Sequence, residues 1–226
     1  MKSELIEFFS EFVTETRYNL FLDRVRYRTR YLTVVLEDIY QPHNASAVLR
    51  TCDCFGIQDV HIIENNNKYR INPDVALGSN QWLSLKRYNS AEFNTPECIQ
   101  MLKENGYRIV ATTPHSNDIN LENFDLSSGK AALFFGTELN GLTDEMINLA
   151  DEFIKIPMVG FTESFNISVT VAIITHYLTH VLRSSESINW QLSQSEEQDI
   201  LLDWLRASIK KSDLLEKKFI EVFNQK

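Results

Sequence analysis

Residues 131–142 read Ala131-Ala132-Leu133-Phe134-Phe135-Gly136-Thr137-Glu138-Leu139-Asn140-Gly141-Leu142, an uninterrupted apolar run that stops at a glycine-bounded loop. An apolar run with no polar alternation is what a strand buried on both faces requires, and such strands belong to parallel sheets covered by helices. Working outward, residues 31–37, 60–63, 83–88, 107–112 and 153–156 also read as strands. Between them lie helical patterns: residues 44–55 with Asn44 as N-cap after Pro42, a helix opened by Thr95-Pro96, and residues 167–182, apolar almost all round and therefore expected at the centre. Strands alternating with helices predict an α/β fold on an open, mostly parallel sheet.

The flanks differ in character. Residues 3–22 predict one amphipathic helix, with Leu5, Phe9, Phe12, Val13 and Leu20 on one side and Glu4, Glu7, Glu11 and Glu15 on the other. From Arg17 to Arg30 there are five arginines and one aspartate, and the alternation Arg24, Arg26, Arg28, Arg30 fits either a helix or an extended chain. At the other end, residues 186–203 hold five acids and no base, while residues 204–218 hold five bases and two acids. Ser193 with Glu196 has the spacing of a capping box, followed by helical stripes at Leu201, Trp204, Leu205 and Ile209 and at Leu215, Phe219 and Val222. The expected division is a helical extension over residues 1–30, an α/β domain over 31–185 and a second helical extension over 186–226.

The 226 residues, 43% hydrophobic and 23% charged, suit one large globular domain with appendages. No window approaches the ~18 apolar residues of a membrane span, and Met1-Lys2-Ser3-Glu4 leads into a Glu-rich segment rather than a signal core. Cys52, Cys54 and Cys98 are too few for a disulfide framework, so a cytoplasmic location is expected. The seven glycines match neither G-x-G-x-x-G nor G-x-x-x-x-G-K-[ST], and no serine sits in G-x-S-x-G. His176 and His180 have i,i+4 spacing without a third ligand, and no metal is expected. The net charge of -9 taken whole argues against a polyanionic partner, although it does not say where the charges sit.

Three segments stand out. Residues 36–51 carry Asn44 at a helix start and Arg50 nearly two turns on; residues 135–142 follow a buried strand; residues 156–169, Ile156-Pro157-Met158-Val159-Gly160-Phe161-Thr162-Glu163-Ser164-Phe165-Asn166-Ile167-Ser168-Val169, run from a strand through a loop into a helix. Each has an ordinary reading as cap, turn or ion-pair residues. Their joint occurrence at the ends of parallel strands, where such folds bind ligands, points to a site.

These segments resemble the three motifs of the SpoU class of SPOUT RNA 2'-O-methyltransferases: N-x-x-x-x-x-R, then F-G-x-E-x-x-G-[LV], then I-P-M-x-G-x-x-x-S-[LF]-N-[VI]-S-V. The resemblance covers about residues 17–185. It is greatest to the TrmH branch, on Leu36-Glu37-Asp38, Pro42-His43-Asn44, Leu49-Arg50-Thr51, Gly78-Ser79 and Trp82-Leu83. It implies a SPOUT-type sheet with a C-terminal trefoil knot over about residues 131–183, an exception to the rule that chains do not knot. It further implies methyl transfer from S-adenosyl-L-methionine to a ribose 2'-hydroxyl, most similar to the tRNA guanosine-18 enzymes that act on the D-loop, by a homodimer. Under it, cofactor contacts fall on Thr112, Gly136, Ile156, Met158, Ser164 and Phe165. Arg50 takes the catalytic arginine's place, with Asn44, Glu138, Ser164 and Asn166 around it. Glu163 stands where a neutral residue is frequent, and Phe165 where leucine is common.

Arginine is a poor base, so Arg50 acts either with a proton acceptor beside it or as an electrostatic clamp on the developing alkoxide. Two rival readings remain: ribosomal RNA as substrate, and a non-catalytic RNA- or cofactor-binding protein on the same scaffold. The roughly 30 residues before the first core strand are too few for an added RNA-binding domain, which favours tRNA. RNA contact is expected at Arg24, Arg26, Arg28 and Arg30, where basic charge is concentrated despite the acidic total.

Overall fold

The structure is a computed structural model that describes residues 1–114, 118–137 and 139–223. Glu138, expected in the site, lies outside the described residues. The chain divides into two compact units: Met1–Arg28 with Gln191–Lys226, and Thr29–Trp190.

The second unit is the α/β body. In chain order it comprises β1 (Leu32–Glu37), α3 (Pro42–Cys54), β2 (Asp59–Ile63), α4 (Pro73–Ala76), β3 (Ser84–Tyr88), α5 (Thr95–Glu104), β4 (Arg108–Thr112), β5 (Ile119–Asn120), β6 (Ala131–Phe135), α6 (Asp144–Leu149), β7 (Glu152–Lys155) and α7 (Ile167–Ser184). The strands order β3-β2-β1-β6-β4-β7-β5, and every pairing is parallel. All residues of β1 and β6 are buried, so the apolar run 131–135 does mark a central strand, whereas the run at 153–156 falls in β7, which is only partly buried and lies beside the edge strand β5. Their side chains alternate between two cores: Val34, Leu36, Leu133 and Phe135 join the layer with α3 and α7, while Val35, Ala132 and Phe134 join the layer with α5 and Met146 of α6.

Three expectations are corrected here. Gln41, not Asn44, is the N-cap of α3; Pro42 takes the first helical position and Asn44 lies buried within the first turn. Helix α7 is not enclosed on all sides. Ile167, Val171, Ile174, Leu178 and Leu182 face the core, whereas Val169, His176 and His180 stand in solvent. Residues 3–22 are not one helix but two, α1 (Lys2–Ser10) and α2 (Glu15–Val25), separated where Thr14 caps α2 by accepting from the Arg17 amide.

The helical unit is α1 and α2 with α8 (Gln194–Ser208) and α9 (Ser212–Phe223). Ser193 and Glu196 form the expected capping box at the start of α8. Phe21 packs on Trp204 at 5.6 Å between ring centroids, Phe8 packs on Phe219 at 5.0 Å, and Arg206 grips Glu216 through two bonds of 2.9 and 2.7 Å.

Candidate functional site

In a parallel sheet all strands end on the same side, and the loops that leave there are brought together. The C-terminal ends of β1, β4, β6 and β7 deliver Glu37, Thr112, Phe135 and Lys155 to one edge of the body, each followed by one of the loops singled out in the sequence or lying beside one.

The first and third segments meet directly. Asn166 is the N-cap of α7: its Oδ1 accepts from the Ser168 amide at 2.9 Å and from the Ser168 hydroxyl at 2.6 Å. With its oxygen so occupied, its Nδ2 is turned to donate to Asn44 Oδ1 at 3.2 Å, and Asn44 Nδ2 in turn donates to Gln41 Oε1 at 3.3 Å. A backbone amide of α7 thus sets the orientation of a chain of side-chain amides that ends at the start of α3. Arg50, further along α3, is exposed, and its guanidinium makes no ion pair or hydrogen bond with a described residue.

The second segment is a tight loop. Thr137 N–H donates to Gly141 O at 2.9 Å and Gly141 N–H to Thr137 O at 3.0 Å, closing the loop on itself. A Cβ on Gly136 would overlap the backbone of Gly141 and the amide nitrogen of Leu142, so only glycine permits this closure. The loop's far end is held by the last residue of β1, for which no motif in the sequence implies a role. Glu37, 1% exposed at the end of β1, accepts from Thr143 N–H at 2.9 Å, Thr143 Oγ1 at 2.9 Å and Thr95 Oγ1 at 2.6 Å. Thr143 is the N-cap of α6 and Thr95 opens α5, so one buried carboxylate ties β1 to the starts of two helices. A buried charge is tolerable when hydrogen-bonded in this way.

The third segment supplies the candidate cofactor surface. Ile156 and Met158 are half-buried, Ser164 and Phe165 exposed, and Val159 and Phe161 stand fully in solvent. Residues 157–165 make no hydrogen bond with a described residue, which leaves the backbone N–H groups of 158–165 and the C=O groups of 157–165 for a ligand. Unused backbone donors and acceptors beside the Met158 and Phe165 side chains suit a group with a flat apolar ring and a polar edge, such as adenosine. Thr112, at the end of β4, is occupied in donating to Phe134 O at 2.8 Å, which joins its strand to β6 beneath the loop.

The arginine run is sorted by the structure. Arg24 and Arg26 are exposed. Arg28 is 6% exposed, its guanidinium 5.1 Å from the Trp204 ring centroid, so the expectation that it contacts RNA is corrected: it is a packing residue of the helical unit. Arg30 is half-buried; its Nε pairs with Asp59 at 3.2 Å, and it precedes β1, at the sheet end opposite the loops above. Cys52 is buried and Cys54 exposed, as their spacing on one helix implies. Among the described residues no three His, Cys, Asp or Glu side chains converge, and no helix is long and apolar enough to cross a membrane.

Residues 31–176 match the family model of the SpoU rRNA Methylase family. The chain is 46% identical to the tRNA (guanosine(18)-2'-O)-methyltransferase of Borreliella burgdorferi, over 92% of each chain. Its fold is similar to that of the A. aeolicus TrmH/SpoU tRNA modifying enzyme, with a TM-score of 0.77 and 28% identity over 87% of this chain and 98% of that one. It is also similar in fold to the SpoU methyltransferase AviRb of Streptomyces viridochromogenes, solved in complex with AdoMet, with a TM-score of 0.61 and 22% identity over 73% of this chain and 63% of that one.

Proposed function

The chain belongs to the SpoU family of RNA methylases, and from that premise we propose that it is an S-adenosyl-L-methionine-dependent 2'-O-methyltransferase of the D-loop guanosine of tRNA. The observation that carries this reading is the Asn166–Asn44 hydrogen bond at 3.2 Å, which joins the cofactor-loop segment to the helix that bears Arg50. The exposed loop 157–165, the half-buried Met158 and the closed Gly136–Gly141 turn are the groups that would hold the cofactor. When bound, the cofactor supplies an electrophilic methyl group on a sulfonium.

The chain's own residues then have three tasks. The loops at the ends of β6 and β7 fix the methyl donor, and the Ser168–Asn166–Asn44–Gln41 series presents amides of set orientation to the ribose. Alignment of nucleophile and methyl group supplies much of the rate. Arg50 donates to the 2'-oxygen as negative charge develops, and the hydroxyl proton passes to a neighbouring RNA phosphate or to water. Glu138 and Ser164 belong to the same site in this proposal, and Arg24 and Arg26 are the members of the arginine run that meet RNA phosphates.

The segment 131–183 is proposed to form a trefoil knot, a reading supported by the placement of β6 between β1 and β4 and by the packing of α7 against α3. The solvent-facing Val159, Phe161 and Val169, large apolar side chains exposed within one short stretch of chain, support a homodimer. A tRNA substrate places the enzyme in the cytoplasm. Radiolabelled methyl transfer to unmodified tRNA and to ribosomal RNA, with nucleoside mapping, tests the function. The expected product is 2'-O-methylguanosine in the D-loop. Product only with ribosomal RNA, or none, would overturn the proposal.

A further inference from the structure

The pair Glu37-Asp38 ends β1 with two carboxylates that serve different loops. Asp38 has a left-handed backbone, with φ 56, that turns its side chain over the loop leaving β2. Its Oδ1 accepts from three successive backbone amides, Asn65 at 2.7 Å, Asn66 at 2.8 Å and Asn67 at 3.2 Å. Its Oδ2 accepts from Asn66 Nδ2 at 3.0 Å, and its backbone oxygen from Asn67 Nδ2 at 3.0 Å. A non-glycine residue with positive φ and a buried carboxylate given over to one loop is costly to maintain, which indicates a loop whose position matters.

The same loop is pinned again further on. The Tyr69 amide donates to Glu64 Oε2 at 3.1 Å and the Tyr69 ring is buried in the core beside α3. The Asn72 amide donates to Ser46 Oγ at 2.8 Å. Ser46 and Arg50 are i,i+4 on α3 and so share a face of that helix. The loop therefore runs from the end of β1, which leads into Gln41 and Asn44, to the face of α3 that carries Arg50.

Between these anchors Lys68 and Arg70 flank the buried Tyr69 and are both exposed. Neither makes an ion pair with a described residue. Of the acids on either side, Glu64 is already taken by Arg87 through bonds of 2.7 and 3.0 Å, and Asp74, exposed in the first turn of α4, makes no ion pair with a described residue. Two uncommitted cations on an immobilised loop, in a chain of net charge -9, form a local site for polyanions that loses little entropy on binding.

We propose that residues 65–72 form a second RNA-contacting element, in which Asp38 holds the loop so that Lys68 and Arg70 meet backbone phosphates beside the ribose presented to Arg50. This rests on the tRNA-methyltransferase reading and adds to it a surface that the arginine run does not include. Asp38 is a positioning residue; Lys68 and Arg70 are the contacts.

The test is steady-state methylation and filter binding with unmodified tRNA. It compares the wild type, Lys68→Glu/Arg70→Glu, the equal charge change Lys103→Glu/Lys130→Glu far from the loop, and Asp38→Asn. Wild-type activity is the first arm; its absence would refute the functional reading itself. Given that activity, the loop double variant is expected to raise KM for tRNA at least tenfold. The slope of log Kd against log salt should fall by about 1.5, as for two lost phosphate contacts. Cofactor affinity should be unchanged. The distant double variant should shift KM less than threefold. Asp38→Asn should raise KM for tRNA while leaving the cofactor Kd within twofold, a split that general loss of structure does not give. Equal KM for both double variants, or an unaltered salt slope, would overturn the proposal while leaving the methyltransferase reading intact.

Discussion

Replacing Glu37 by alanine removes the buried carboxylate that closes the second-segment loop. The structure gives its size. Three hydrogen bonds are lost, to Thr143 N–H at 2.9 Å, Thr143 Oγ1 at 2.9 Å and Thr95 Oγ1 at 2.6 Å. The two hydroxyls can turn toward other acceptors or admitted water, whereas the Thr143 amide has a fixed direction. An unsatisfied buried donor costs about 1–3 kcal/mol, and the charge-assisted bonds to the hydroxyls add a similar amount, so Glu37→Ala should destabilise the α/β unit by about 3–5 kcal/mol. Glu37→Gln keeps an acceptor for the Thr143 amide and can donate to the hydroxyl oxygens, so it should cost about 1–2 kcal/mol. Urea unfolding in a Trp204→Phe background reads the α/β unit alone, because the other two tryptophans, Trp82 and Trp190, lie within it. Cofactor affinity measured on the folded variants should fall in the same order. A Glu37→Ala protein within about 1 kcal/mol of the parent would refute the reasoning, since it would mean that the carboxylate holds nothing.

Gly136→Ala should lower cofactor affinity at least tenfold by calorimetry, because the added methyl displaces the Gly141–Leu142 backbone rather than a flexible side chain; unchanged affinity would show that the loop is not part of the cofactor site. Asn44→Ala and Asn166→Ala should each reduce kcat by about a hundredfold, and the double variant by little more than either alone, since they share one hydrogen bond; additive losses would separate the two residues. His61 is buried in the core, its Nδ1 3.0 Å from the Tyr88 hydroxyl, and desolvation, aided by the charge of Lys86, lowers its pKa to about 4. The unfolded chain therefore binds the extra proton first: this contribution is complete above pH ~6.5 and is lost as pH falls toward 4, by about 3 kcal/mol in all. Urea midpoints measured from pH 7 to 4 should show that slope, and His61→Phe should flatten it.

The sheet was legible because its strands announce themselves locally. Ala131–Phe135 is wholly apolar and wholly buried, and β1 is likewise enclosed along its length. The three motif segments were legible as spacings, but the bond from Asn166 to Asn44 spans 122 residues and has no local sign. The same is true of Arg28. It belongs to the same run of basic residues as Arg24, Arg26 and Arg30, but Trp204 in α8 draws its guanidinium inward. The break in the first helix had a signal that the long apolar stripe concealed: Thr14 is a good N-cap, and Phe12 is left exposed beside it. Likewise Pro42 at the first helical position marks Gln41 as the cap and places Asn44 inside the turn, where its side chain meets Asn166 and Gln41. Glu37 and Asp38 were visible as letters only; their roles depend on loops brought to β1 by the order of the sheet.

In the proposed mechanism Arg50 acts on the ribose while the loops at the ends of β6 and β7 hold the methyl donor. The direct measurement is single-turnover methyl transfer to unmodified tRNA by Arg50→Ala, paired with its cofactor Kd. The rate is expected to fall by about a thousandfold or more, as when a group that stabilises developing charge is removed, with cofactor affinity within twofold of the parent. Transfer at a rate near that of the parent, or a loss explained by failed cofactor binding, would contradict it.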